Sequence, residues 1–264
     1  MLLNNENYYS KEADREYLSV SQYKNFMGTI GKPACESQAM AMLNGEWKLE
    51  RQQLFWLALM WIRILREALT CSVHRILPFL QVRGFKGRLQ KSEEIINRIE
   101  RDETFMQFMS GEKQVIMTAD MFGAKWKIKM DSYIADKAIV DLKVMRELHK
   151  AEYTKDFGYM DFIQYWGYDI QGAVYQEVVY RNTGKRLPFF IAAASKEKET
   201  DIELIWIDDE HLHEKLVEVE QNTPKILALK SGAVEPIRCE LCDYCKHTKV
   251  LKKPIHYSEL LGEV

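Results

Sequence analysis

The sequence predicts an α/β fold with a central mixed β-sheet flanked by helices, and three observations carry that expectation. Apolar residues recur at helical spacing over residues 91–109. The period then switches to two across residues 113–143, and apolar strands return at 188–195 and 202–208 after a further helical stretch. The order helix, three strands, helix, two strands, helix is that of a layered α/β domain.

Each element has its own warrant. Within DREYLSVSQYKNF, residues 14–26, Ser19 or Ser21 supplies a helix start. In KSEEIINRIERDETFMQFM, residues 91–109, Ile95, Ile96, Ile99, Phe105, Met106 and Met109 share one face and charges take the other, which predicts one amphipathic helix. Beyond Gly111, strands are expected at about 113–119, 123–131 and 137–143. In the middle strand Trp126, Ile128 and Met130 alternate with Lys125, Lys127 and Lys129, which predicts a buried face and a lysine face. Residues 159–182 read as a helix, PFFIAAAS at 188–195 and IELIWID at 202–208 as strands, and about 209–229 as a closing helix. A cysteine-rich segment, 235–250, follows.

Bulk properties bound the function. A chain of 264 residues buries a sizeable core without disulfides, and 47% hydrophobic and 29% charged residues with no low-complexity tract exclude a disordered protein. We expect one domain spanning residues 1–264. A net charge of −2 places any nucleic-acid surface locally rather than over the whole molecule. The opening MLLNNENYYSKEADREY has no signal-peptide pattern, and Arg63, Arg66 and Glu67 break the apolar run that begins at 54–65, well short of the ~20 residues a membrane span needs. A cytoplasmic protein without a membrane span is the expectation.

The candidate chemistry lies in AIVDLKVM, residues 138–145. Strand alternation projects Asp141 and Lys143 to one side and Leu142 to the other. A hairpin brings Asp131, at the end of the preceding strand, beside Asp141. Two carboxylates at strand ends can hold Mg²⁺ (or Mn²⁺), and Lys143 then stands where it can orient an attacking water or neutralise charge on a phosphate. Asp-x-Lys alone occurs by chance in many chains as an exposed ion pair. Downstream, QGAVY places Gln171 and Tyr175 four residues apart on one helix face, where both can reach a DNA strand or pack in the ordinary way.

An Asp ten residues before IVDLK and a Gln-x-x-x-Tyr helix after it resemble the PD-(D/E)xK nuclease superfamily in its RecB-like and YqaJ-like branch. With YLSVSQYKNF, LNGEW, EEIINRIERDE and CELCDYCKHTKVLKKPIHYSEL, the chain looks like the phage and prophage exodeoxyribonuclease VIII-like proteins over roughly four-fifths of its length. The resemblance implies a restriction-endonuclease-like core and metal-dependent degradation of one strand of linear duplex DNA. It implies Asp131 and Asp141 as metal ligands, Lys143 at the nucleophile, and Gln171 and Tyr175 on DNA. It also implies a role in phage recombination or DNA repair beside a single-strand annealing protein, and a ring-forming homo-oligomer. The alternative is a catalytically silent DNA-binding or assembly protein of the same fold.

Between about residues 53 and 86 the resemblance lapses. There the family carries a Gly-Ser-x-x-Asp helix and a nearby Glu that contribute to the active site, whereas this chain reads LFWLALMWIRILREALTCSVH with Glu67 its sole acid. Met60 and Trp61 have single codons, and with Ile62 they force Val-Asp in an overlapping frame. Permitted codons around them restore Gly-Ser-x-x-Asp, so we read the run as translated from a shifted frame that is corrected near residue 87.

Cys239, Cys242 and Cys245, spaced by three in RCELCDYCKHTK, point to a metal centre rather than to disulfides. A fourth ligand is needed. The resemblance implies Cys35, since related nucleases hold a 4Fe-4S cluster with one Cys before the core and three after it, clasping the two ends together. Zn²⁺ on the three Cys with Cys35 or His247 is the alternative. Cys71 lies in the departing run and is assigned no role, and His211 and His213 are read as an exposed helix start.

Overall fold

A computed structural model describes residues 1–48, 85–251 and 253–259. The N-terminal part forms three short helices, α1 (Lys11–Glu16), α2 (Val20–Met27) and α3 (Glu36–Asn44). Ser19 caps α2 by accepting from the Gln22 amide at 3.3 Å, as expected of one of the two serines. The stretch expected to be one helix over 91–109 is two: α4 (Phe85–Glu100) and α5 (Glu103–Phe108). Asp102 separates them, its carboxylate accepting from the Phe105 amide at 2.9 Å. A cap side chain in extended backbone stops one helix and starts the next, and hydrophobic periodicity does not register it.

Three strands follow, β1 (Glu112–Met121), β2 (Ala124–Ile134) and β3 (Ala138–Met145), each longer than its expected span, with β2 and β3 starting one residue later and running past their expected ends. Next comes a small hairpin of β4 (Glu152–Thr154) and β5 (Gly158–Met160), absent from the sequence expectation. The helix expected over 159–182 is β5, then α6 (Phe162–Tyr165) and α7 (Tyr168–Thr183), broken at Gly167 with φ 61°. Then come β6 (Phe189–Ser195), β7 (Ile202–Ile207), α8 (Asp209–Ser231) and α9 (Asp243–His247).

The main sheet has the order β1-β2-β3-β6-β7. All neighbours are antiparallel except β3 and β6, which run parallel, so the sheet is mixed and the fold α/β. One face packs Trp126, Ile128, Ile139 and Ile191 against α7 and α8. On the other, Val140, Leu142, Ala192 and Ala194 meet Ile95, Ile99 and Phe105 of α4 and α5 and Met109 just after α5. Gly172 shows how closely α7 lies on the sheet: a Cβ there would stand 2.7 Å from the Phe189 ring.

The lysine face of β2 is not uniformly solvated. Lys127 is 1% exposed, its ammonium donating to the Tyr8 carbonyl at 2.6 Å and to Asp14 at 2.7 Å. The segment before α2 covers it, with Leu18 bonding the β2 backbone on either side of Trp126. No helix among the described residues is long and apolar enough to cross a membrane.

Candidate active site

β2 and β3 pair over three positions only, ending at Ser132–Val140. One further step would set Asp131 opposite Asp141. The ladder stops there, and the Leu142 amide donates to the Asp131 carboxylate at 3.0 Å in place of a backbone acceptor. The facing residue of β1, Gln114, has φ 57°, and its amide donates to the other Asp131 oxygen at 3.1 Å. Around this point the core-facing positions of β2 change phase, from Trp126, Ile128 and Met130 to Tyr133. An irregularity of this kind re-aims a side chain, and here it turns Asp131 toward the face of Asp141. Gln114 was not foreseen, because neither its type nor its neighbours signal a left-handed backbone.

On β3 the expected alternation holds: Asp141 and Lys143 form an ion pair and Leu142 enters the opposite core. Gln171 of α7 joins both, donating to Asp141 at 2.6 Å and accepting from Lys143 at 3.0 Å. Its side chain therefore faces the two strand residues. Tyr175, one turn on, is buried and donates to the Lys129 carbonyl at 3.1 Å. The structure thus gathers Asp131, Asp141, Lys143 and Gln171, and sets Tyr175 behind them against β2.

Electrostatics separates the roles of these groups. Burial and then the neighbouring Asp141 charge push Asp131 up to about 7, against the lowering effect of Lys143 and the Leu142 and Gln114 donors. Burial works against the Lys143 ammonium, but Asp141, Tyr168 and Asp131 outweigh it and raise its pKa above the ordinary lysine value. Lys143 is accordingly a fixed positive charge. Tyr168 lies between two ammonium groups, Lys143 at 4.6 Å and Lys24 at 5.0 Å from its ring. Lys24, brought down to about 7 by burial and by Lys143, also donates to the Trp166 and Gly167 carbonyls at the start of α7.

Asp131 and Asp141 are the described carboxylates that could hold a divalent cation here. Asp141 can take that role: its Oδ1 accepts from Gln171, and its buried Oδ2 faces the Lys143 ammonium as its ion-pair partner. The expected departure over 53–86, with Glu67 and Cys71, falls almost wholly outside the described residues.

The second centre joins distant segments. The sulfurs of Cys35, Cys239, Cys242 and Cys245 all lie within 4.8 Å of one another, with Cys35 and Cys245 at 3.6 Å. Each of the first three accepts a backbone amide three residues on, so the repeat spacing preorganises the thiols. Burial would raise Cys239, but the Leu241 and Cys242 amides outweigh it and bring the thiol down to about 7. Around the sulfurs, Ser37 bonds the Ile237 and Pro236 carbonyls, and Glu36 accepts from the Ile237 amide at 2.9 Å. His247 packs on Trp47 at 5.4 Å instead of joining the thiols. His211, read as simply exposed, holds the buried Asp169 at 3.0 Å and ties α8 to α7.

Residues 80–248 match a sequence family described as a PDDEXK-like domain of unknown function (DUF3799). The match begins within the last residues of the departing run. A crystal structure at 2.19 Å of a Eubacterium rectale protein titled "Putative exonuclease" superposes with a TM-score of 0.91, at 52% identity over 100% of both chains. No match is found among curated proteins. Match and geometry agree on the same strands, and the chain belongs to the PDDEXK-like family, with the fold of a PD-(D/E)xK exonuclease.

Proposed function

We propose that this protein is a metal-dependent exonuclease that hydrolyses phosphodiester bonds of linear duplex DNA. The observation that carries the reading is the splayed end of β2 and β3, where a buried and a half-buried carboxylate and a charged lysine converge with Gln171 fixing two of them. Asp131 and Asp141 would hold a divalent cation, Mg²⁺ or Mn²⁺, whose chemistry is to activate water and neutralise phosphate charge. The raised Asp131 pKa supports this, since the desolvation and the neighbouring Asp141 charge that raise it are what such an ion offsets. Lys143 sets a third charge beside the scissile phosphate and stabilises the excess negative charge as water adds to phosphorus and the leaving oxygen departs. Gln171 acts as a positioning residue, holding Asp141 and Lys143 in register. Gln171 and Tyr175 on a DNA strand, an annealing-protein partner, ring assembly and a role in recombination are what the family resemblance adds.

The cysteines would hold a structural metal that clasps residues 35–37 to 236–245 within one nuclease domain. Sulfurs within 4.8 Å suit one tetrahedral ion, because Zn–S bonds of ~2.3 Å imply sulfur separations of about 3.8 Å. In a 4Fe-4S cluster each thiolate binds a different iron and stands farther off, so the spacing favours zinc over the iron-sulfur cluster that the resemblance implies. Metal analysis with an absorption spectrum decides between them.

A second reading, a silent DNA-binding or assembly protein, draws on the run 53–86, where Glu67 is the sole acid. The test is nucleotide release from linear duplex DNA with Mg²⁺ by this chain, its Asp141→Ala variant, and a chain with the frame restored over 53–86. Release that disappears with Asp141→Ala establishes the exonuclease. Release only after restoration makes this chain a disabled copy, and the coding DNA must then spell Gly-Ser-x-x-Asp in the shifted frame.

A further inference from the structure

Between the strand carrying Lys143 and the helix carrying Gln171, the chain makes the β4–β5 hairpin, a two-stranded ladder separate from the main sheet. It is short, with Thr154 paired to Gly158 and the turn closed by the Phe157 amide on the Thr154 hydroxyl at 3.1 Å. Gly158 takes φ 73°, the left-handed backbone such a turn requires. Tyr153 and Tyr159 are cross-strand partners with ring centroids 5.2 Å apart. Tyr153 is 65%, Phe157 63% and Tyr159 78% exposed. An isolated hairpin gains little from rings that it leaves in water, so three of them together mark a surface for a ligand.

The root of the hairpin leads into the candidate site. Leu148 before it and Phe162 after it are both buried in the main core. Phe162 meets the Tyr168 ring at 6.2 Å, and the Lys143 ammonium lies 4.6 Å from the centre of that same ring. The hairpin thus leads through Phe162 to Tyr168, whose ring meets both the Lys143 and the Lys24 ammonium groups. Exposed rings beside a site that holds the Lys143 charge match a nucleic-acid strand, whose bases stack on aromatic faces while its phosphates seek positive charge. The exposed apolar groups of the hairpin are all aromatic, without the aliphatic side chains that pack a protein interface core.

We propose that the β4–β5 hairpin is a stacking platform for the bases of a single DNA strand entering the site, with Tyr153 and Tyr159 as the main contacts and Phe157 at the tip. The identity of the ligand rests on the nuclease reading above.

The test is fluorescence anisotropy of a labelled oligothymidylate with the full chain, in Ca²⁺ instead of Mg²⁺. Tyr153→Ala with Tyr159→Ala is expected to weaken binding at least about tenfold, Phe157→Ala less, and Tyr153→Phe with Tyr159→Phe by no more than about twofold. Melting temperatures should stay together, since the hairpin lies outside the main sheet. Unchanged binding in the double alanine variant overturns the platform, as does a wild-type chain that does not bind the oligonucleotide. Sedimentation showing that the alanine variant splits an oligomer assigns the rings to a second copy instead. Failure here is separable from failure of the nuclease reading. Nucleotide release that needs Asp141 but ignores the rings leaves the nuclease and removes the platform; ring-dependent binding without any release does the reverse.

Discussion

The strand-end site and the cysteine clasp are built in opposite ways. The first takes Asp131, Asp141, Lys143 and Gln171 from a hairpin and the helix that follows, while the second joins Cys35 to Cys245 across 210 residues. In the first, charges are crowded into the interior at a cost in stability; in the second, polar contacts of Glu36 and Ser37 tie the N-terminal segment to residues 236 and 237. A protein can thus separate the region that performs chemistry from the region that holds the chain closed. If that division is real, damage to one should leave the other nearly intact.

The largest effect is expected from Asp141→Asn, which keeps the shape and removes the charge. Nucleotide release should fall by ~10³-fold or more, with little change in melting temperature. An equal loss of stability would show that the ion pair with Lys143 also supports the fold. Next, Gln171→Ala should lower kcat by roughly 10- to 100-fold at constant KM, the mark of lost positioning. A change confined to KM would move Gln171 to DNA contact.

The clasp should behave in reverse. Cys35→Ser is expected to lower the melting temperature by roughly 5–10 °C and release the bound metal, while activity per folded molecule stays within about threefold. The smallest effect sharpens the comparison from the other side. Asp131 titrates at about 7 in the folded chain, against ~4 for an ordinary carboxylate, so folding favours its protonated form. Its contribution to stability is full below pH ~4, is lost as pH rises toward about 7, and stays lost above. In metal-free protein, Asp131→Asn should therefore melt a few degrees higher than the parent at pH 8, with the gain gone at pH 4. Mg²⁺ should narrow the gap at pH 8 by stabilising the parent alone.

What could be read in advance followed the same division. Strand alternation put Asp141 and Lys143 on one side, and helical spacing put Gln171 and Tyr175 on one face, because local geometry decides both. The turn of Gln114 into left-handed backbone, the burial of Lys127 beneath the segment before α2, and the placing of Tyr168 between two lysines were not legible, since each depends on partners far along the chain. The three C-terminal cysteines announced a metal by spacing alone, and Cys35 entered through family resemblance. The β4–β5 hairpin was missed because three-residue strands are too short for a period to show.

The clasp also sets a schedule for synthesis. Cys35 leaves the ribosome 210 residues ahead of Cys245, a wait of roughly 10–40 s at about 5–20 residues per second. Until residue 239 emerges, Cys35 at the start of α3 lacks all three of its C-terminal sulfur partners, while β1 to β7 and α8 emerge and can already assemble. Closure of the four-cysteine clasp is therefore a late event, and nascent chains halted before residue 239 would carry Cys35 without the three sulfurs that surround it in the finished fold, open to oxidation and to proteases that finished molecules resist.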